Sequence, residues 1–248
     1  MIDEKTCGLL RQYADQYETK DFLCGDPSWF MHQVDDRHNQ ETMAFLASCL
    51  SYGSRAQFMP KIAFLLEKSK KSPYNWIKSG AFAEDFYASD RQCFYRLYSN
   101  GLMYDFFEVF RKLLNTYDSL GEFVRCEADD GLGAVDAICR FFSGHGIKLV
   151  VPQDTQSACK RVCMFLRWMV RSGSPVDLGL WADFIDRRTL IMPLDTHVLA
   201  QATRLGLLKS RNATMHTAIK LTETLKNVFP DDPLRGDFAL FGYGVNRS

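Results

Sequence analysis

Apolar residues recur at helical spacing along almost the whole chain. In QETMAFLASCLSY, residues 40–52, Met43, Leu46, Ala47 and Leu50 fall on one face, and in LMYDFFEVFRKLLNTY, residues 102–117, Met103, Phe106, Phe110, Leu113 and Tyr117 do the same. Both stretches predict core helices. The same period predicts helices over about 5–18, 56–68, 134–142, 157–171, 176–186, 196–205 and 214–229. Gly53, Pro73, Gly80, Gly101, Gly173, Pro175, Gly206 and Pro230 punctuate them. Only Leu149-Val150-Val151 reads as extended chain, and it is too short to build a sheet. There is no internal repeat and no low-complexity segment. The expectation is an all-α protein with two helical lobes around a cleft. The lobes are interleaved in one unit over residues 1–248: a central lobe over about 50–190 holds residues 157–171, and both termini supply the other.

Composition adds little until it is read by position. With 248 residues, 46% hydrophobic and 13% aromatic, the chain can bury a substantial core. Lys plus Arg equals Asp plus Glu at 30 each, so the total charge points to no nucleic-acid or membrane partner. The distribution does discriminate: residues 1–40 hold eight acids against four bases, whereas residues 155–211 hold nine bases, Arg211 the last, against four acids. The opening MIDEKTCGLL lacks the basic-then-apolar order of a secretory signal, and no eighteen apolar residues run together. A cytoplasmic protein is expected. Eight cysteines without a CxxC pair read as reduced core thiols, and Cys159 with Cys163 lacks the second pair that would complete a metal site.

Two helices carry the candidate chemistry. In SACKRVCMFLRWMVR, residues 157–171, Ala158, Val162, Phe165, Leu166 and Met169 form the apolar stripe, while Lys160, Arg167 and Arg171 share another face. A solvated basic face accounts for that stripe. Yet a lysine at a helix start opposes the helix dipole, which favours acids there, and this draws attention to Lys160. Trp168 lies off the basic stripe and reads as a buried anchor. In IMPLDTHVLAQATRLGL, residues 191–207, Asp195 opens a helix with His197, Gln201 and Arg204 on its polar side, and Gly206 ends it. Aspartate is among the best N-caps, so capping alone explains Asp195. A carboxylate can cap a helix and face a cleft at once.

The run Pro193-Leu194-Asp195-Thr196-His197-Val198, continuing to Arg204-Leu205-Gly206-Leu207, is similar to the VDTHV…RLGL segment of the helix-hairpin-helix DNA glycosylases, the superfamily that includes endonuclease III. The whole chain also resembles a bacterial family of unknown function assigned to that superfamily, through FLASCLSYGSRAQ, SACKRVCMFLRWMVR, VDLGLW, PLDTHV and DFALFGYGV. The resemblance implies a catalytic role for Asp195 and matches Lys160 to the lysine of bifunctional members. Their separation of 35 residues is similar to that of the archaeal GO glycosylase branch. Two features depart from the pattern. Residues 143–160, SGHGIKLVVPQDTQSACK, keep Gly144 and Gly146 but not the usual hairpin order, and no cysteine follows Cys163 to hold an iron–sulfur cluster. No metal or cofactor is expected.

The activity so implied is base excision from double-stranded DNA carrying a damaged base, in the nucleoid. The base leaves the stack and is read in a pocket. Lys160, partly buried beside Arg161 and Arg167, attacks the sugar C1′ to give a Schiff base, and β-elimination then nicks the strand. Asp195 takes the lysine proton or stabilises charge on the sugar. If Lys160 only contacts phosphate, a water activated by Asp195 gives a monofunctional enzyme. An oxidised purine such as 8-oxoguanine is the first substrate expected. Tyr52, Arg55 and Gln57, at the turn after the first core helix, are candidates for stacking on a base, filling its place or touching phosphate; Tyr52 reads equally as core. His145 between two glycines is a phosphate candidate, Arg161, Arg167 and Arg171 are candidate DNA contacts, and His197 stands beside Asp195. Asp237, ahead of the last apolar run, is a candidate helix cap. The competing classes are a nucleic-acid-binding protein that breaks no bond and a helical scaffold with no nucleic-acid partner.

Overall fold

The computed structural model describes residues 2–210 and 212–246. Arg211, one of the nine bases counted above, lies outside them. The chain is predominantly helical, with 61% of residues in helices and, among the described residues, one two-stranded sheet. In order it forms α1 (Glu4–Tyr17), α2 (Arg37–Leu50), α3 (Arg55–Lys68), α4 (Pro73–Ser79), β1 (Cys93–Tyr95), β2 (Tyr98–Ser99), α5 (Asn100–Tyr117), α6 (Leu120–Glu127), α7 (Gly131–Gly144), α8 (Lys160–Val170), α9 (Thr196–Arg204), α10 (Met215–Lys226) and α11 (Arg235–Val245). Among the described residues no helix is long and apolar enough to cross a membrane.

The chain divides into two compact units. One comprises the residues up to Cys24, Asp129–Val135, and the chain from Thr155 on; the other comprises Gly25–Ala128 and Asp136–Asp154. Helix α8 therefore belongs with the termini, and not with the central segment to which the 50–190 reading assigned it.

In the unit built on α2, the helix is buried on nearly all sides, Thr42 to Leu50 without a break. Its Phe45 packs on Phe106, Phe110 and Phe142 at ring distances of 5.1–6.1 Å. Such aromatic clusters bury large areas and favour tilted contacts. Glu41, on the same helix, is buried and accepts hydrogen bonds from the Leu120 and Gly121 amides at 2.8 and 3.0 Å, so it caps α6 from a distance. In the other unit α1 lies on α11. Tyr17 meets Phe241 edge-on at 5.6 Å, Tyr13 meets Tyr243 at 6.3 Å, and a Cβ at Gly242 would overlap the Tyr17 ring. Helix α8 is buried from Val162 through Val170.

Three differences from the sequence pattern have physical causes. Residues 176–186 form no helix. Their backbone turns to α8 instead, Leu178 and Gly179 donating to the Trp168 carbonyl at 2.8 and 3.2 Å and Trp181 to that of Met169 at 2.7 Å. These are last-turn carbonyls of α8, which have no partner inside their own helix. Gly179, at φ 65°, passes so close to Ser172 that a side chain would strike its backbone. Leu149-Val150-Val151 lies in a bend, with the Leu149 carbonyl accepting from the Tyr98 hydroxyl at 3.2 Å. The short helices α4, α6 and α11 carry too few turns, or too apolar a sequence, to show a clean period.

Candidate functional site

The site begins at two helix starts. Lys160 is the first residue of α8, and Cys159 before it takes a left-handed conformation, φ 45°, without a side-chain cap. Asp195 is the N-cap of α9, where its Oδ1 accepts from the His197 and Val198 amides, both at 2.9 Å. Its Oδ2 stands 3.6 Å from Lys160 Nζ, with each side chain about one-third exposed, 32% and 34%. One carboxylate thus caps a helix and pairs with the lysine. The cap fixes its orientation, because both amides hold the same oxygen.

The rest of the basic stripe does not face outward. Arg167 and Arg171 are 3% and 1% exposed. Arg167 pairs with Asp237 and, at 3.3 Å, with Asp177. Arg171 makes a two-pronged contact to Asp232 at 2.8 Å on each side, reaches Glu18 at 2.6 Å and pairs with Asp177. Both guanidinium groups also lie against the Phe238 ring, at 4.5 and 5.4 Å. A buried arginine stays charged and so requires such partners, and its donors are spent inside the protein. Arg167 and Arg171 are accordingly not DNA contacts, and Arg167 does not act as an uncompensated positive neighbour of Lys160. Trp168 is fully buried, as expected of an anchor.

Sequence reasoning gave Asp237 no role beyond that of a candidate helix cap. It sits inside the first turn of α11, whose N-cap is Leu234, so it is not the cap expected. Burial pushes its carboxyl above the usual range and Arg167 pulls it down; Asp195 pushes it up again and Lys160 pulls it down. It therefore belongs to the electrostatic surroundings of the Lys160–Asp195 pair. Asp177, fully buried between the two arginines, is likewise raised by burial against their pull. A charge inside each of the apolar motifs VDLGLW and DFALFGYGV was the available signal, since an acid buried among hydrophobes requires a partner.

Around the pair, His197 is exposed and Arg161 half-buried. The remaining candidates lie in the other unit. The Tyr52 ring packs edge-on against Tyr95 at 5.1 Å and tilted against Tyr98 at 5.2 Å, under the Arg96 guanidinium at 5.3 Å, and its carbonyl accepts from the Tyr95 hydroxyl. Tyr52 is a packed ring rather than a free stacking platform. Arg55 is exposed and reaches Asp26 at 3.3 Å; Gln57 is exposed in the first turn of α3. His145 has both ring nitrogens engaged, Nδ1 at 2.8 Å from the Phe141 carbonyl and Nε2 at 3.0 Å from Lys112 Nζ. The amides of His145, Gly146 and Ile147 return to the carbonyls of Phe141, Phe142 and Ser143, closing the end of α7. Sequence reading also passed over Leu97, which is 74% exposed at the tip of the β1–β2 turn beside Arg96 at φ 52°.

Among the described residues no group of three or more His, Cys, Asp or Glu is placed to hold a metal ion. The fold and site define a predominantly helical protein with a lysine–aspartate pair set at two helix starts. The chain belongs to the family described as "Protein of unknown function (DUF2400)", which matches residues 26–246. No curated protein and no solved structure matches it.

Proposed function

We propose that this protein is a DNA base-excision glycosylase of the helix-hairpin-helix type that works through a Schiff base on Lys160. The observation that carries the reading is the 3.6 Å pair of Lys160 Nζ and Asp195 Oδ2, with the carboxylate oriented by its capping bonds. A primary amine beside a fixed carboxylate has the parts for covalent catalysis at a sugar C1′: Nζ is the nucleophile, and Oδ2 takes its proton or faces the positive charge that develops on the sugar as the base departs. β-Elimination from the Schiff base then nicks the strand. Double-stranded DNA with a damaged base is the substrate, and an oxidised purine such as 8-oxoguanine is the first choice. The exposed Leu97 on its two-residue turn has the character of the apolar wedges that enter DNA between base steps.

The test is borohydride trapping on duplexes containing 8-oxoguanine, uracil, alkylated bases or an abasic site. A covalent adduct that disappears in Lys160→Ala is expected, with the rate falling on the order of a hundredfold or more in Asp195→Asn. A second reading, a nucleic-acid-binding protein without catalysis, is favoured by the amides of residues 145–147, which are bonded within the protein rather than presented to a phosphate. Retained, salt-sensitive DNA binding with no adduct and no released base would establish that reading instead.

A further inference from the structure

The backbone ahead of each member of the pair is held by the same helix. Three residues before Lys160, Ser157 forms an isolated antiparallel bridge with Thr214, whose side chain caps the start of α10. Three residues before Asp195, the Met192 amide donates at 2.9 Å to Thr222 Oγ1, about two turns further along α10. Neither connection has slack. Ser157 Oγ accepts the Cys159 amide at 3.4 Å, and the left-handed turn at Cys159 leads straight into Lys160. On the other side Met192, Pro193 and Leu194 are all buried, and the proline fixes its own backbone angle. Thr222 is itself 1% exposed, and its hydroxyl is oriented by donating to the Ala218 carbonyl at 2.9 Å, which leaves its oxygen to accept from Met192.

We propose that Thr222 is a positioning residue of the site: through the Met192 amide it fixes the segment that presents Asp195, on the same helix that fixes the approach to Lys160, and so sets the 3.6 Å separation of Nζ and Oδ2. The inference rests on the Schiff-base reading of Lys160. Thr222 acts through Met192, three residues ahead of the carboxylate, and takes no part in the chemistry. Rates fall steeply when a reacting group is displaced by about an ångström, so an anchor of this kind is felt at the reacting atoms. Removing the hydroxyl leaves the Met192 amide buried without its acceptor, and the segment must shift to find another.

The experiment uses the full chain on a duplex with one abasic site, under single-turnover borohydride trapping over a range of DNA concentrations, well below the unfolding temperature of each variant. Wild type, Thr222→Val, Thr222→Ser, Leu221→Ala and Lys160→Ala are compared. Valine keeps nearly the shape of threonine and removes the hydroxyl; serine keeps the hydroxyl. Thr222→Val is expected to lower the trapping rate at saturating DNA by roughly tenfold or more, with the half-saturating DNA concentration unchanged, and Thr222→Ser to stay within about twofold of wild type. Leu221→Ala, which opens a cavity under the same helix without touching the anchor, is expected to lose stability but not rate. A wild-type rate in Thr222→Val, or a fall as large in Thr222→Ser or Leu221→Ala, would overturn the proposal and leave Thr222 as a core residue only. Hydrogen exchange of the His197 and Val198 amides, which Asp195 caps, supplies a readout free of activity, and faster exchange is expected in Thr222→Val than in Thr222→Ser. If wild type forms no Lys160-dependent adduct, the Schiff-base reading falls; equal exchange in the two variants then overturns the placement of Asp195 by Thr222 as well, and unequal exchange upholds it.

Discussion

Asp195 divides its two carboxylate oxygens between a helix cap and an ion pair. Oδ1 satisfies two amides at the start of α9 and Oδ2 faces Lys160. The two roles separate experimentally because asparagine caps a helix about as well as aspartate, whereas alanine does not. Asp195→Asn is expected to unfold in urea within a few tenths of a kcal/mol of wild type, and Asp195→Ala to lose about 1 kcal/mol. If both variants were equally destabilised, the ion pair with Lys160 and not the cap would be what holds the start of α9. Local pattern put Asp195 at a helix start and Lys160 near one, and the resemblance to the glycosylases singled the two out together. The sequence could not show that Arg167 and Arg171, which share the face of Lys160, meet Glu18, Asp177, Asp232 and Asp237. Those partners come from three other stretches of chain.

Elements are held together in this molecule by close approach as much as by apolar stripes. Helix α11 meets α1 at Gly242, where the Tyr17 ring occupies the space a side chain would need and is itself fixed by Phe241 and by the Asn246 amide donating to its hydroxyl at 2.7 Å. Gly242→Ala is expected to cost about 1–3 kcal/mol through overpacking, measured by urea unfolding. A loss below about 0.5 kcal/mol would mean that the ring can swing aside and that the helix pair is looser than its packing indicates. The period of apolar residues located α1, α2, α3, α5, α7, α8, α9 and α10 to within a few positions. It failed over residues 176–186, where a helical pattern was overridden by hydrogen bonds to the last carbonyls of α8. It also missed α11, whose glycines and unbroken apolar run give no amphipathic stripe; there the stripe is replaced by burial on both sides.

On the scale of the whole molecule, the buried ionic network ties stability to pH. Burial pushes the Glu18 carboxyl up, but the Arg171 charge and the hydrogen bonds from Arg171 and Arg235 outweigh it, leaving it below the ordinary value of 4.5. A carboxyl depressed in the folded state contributes stability that is fully present above its unfolded value and is lost as pH falls through the folded one. Asp177 and Asp237, raised from 3.8, act in the opposite sense: they cost stability above that range and return it as they protonate in acid. Glu18→Gln is therefore expected to lose on the order of 2 kcal/mol near neutral pH and progressively less below about pH 4, in urea unfolding at the two conditions. A deficit that stays constant into acid would show that Glu18 holds Arg171 by shape and not by charge. The sequence by itself determined the helical class, most of the helices and the helix start at Asp195, because capping and amphipathic period are local properties of the chain; it began the helix of Lys160 three residues early, at Ser157. Only the tertiary structure decided which charges are free to act. Whether an arginine on a helix face meets solvent or buried acids depends on contacts between separate segments of the chain, and no local spacing encodes them.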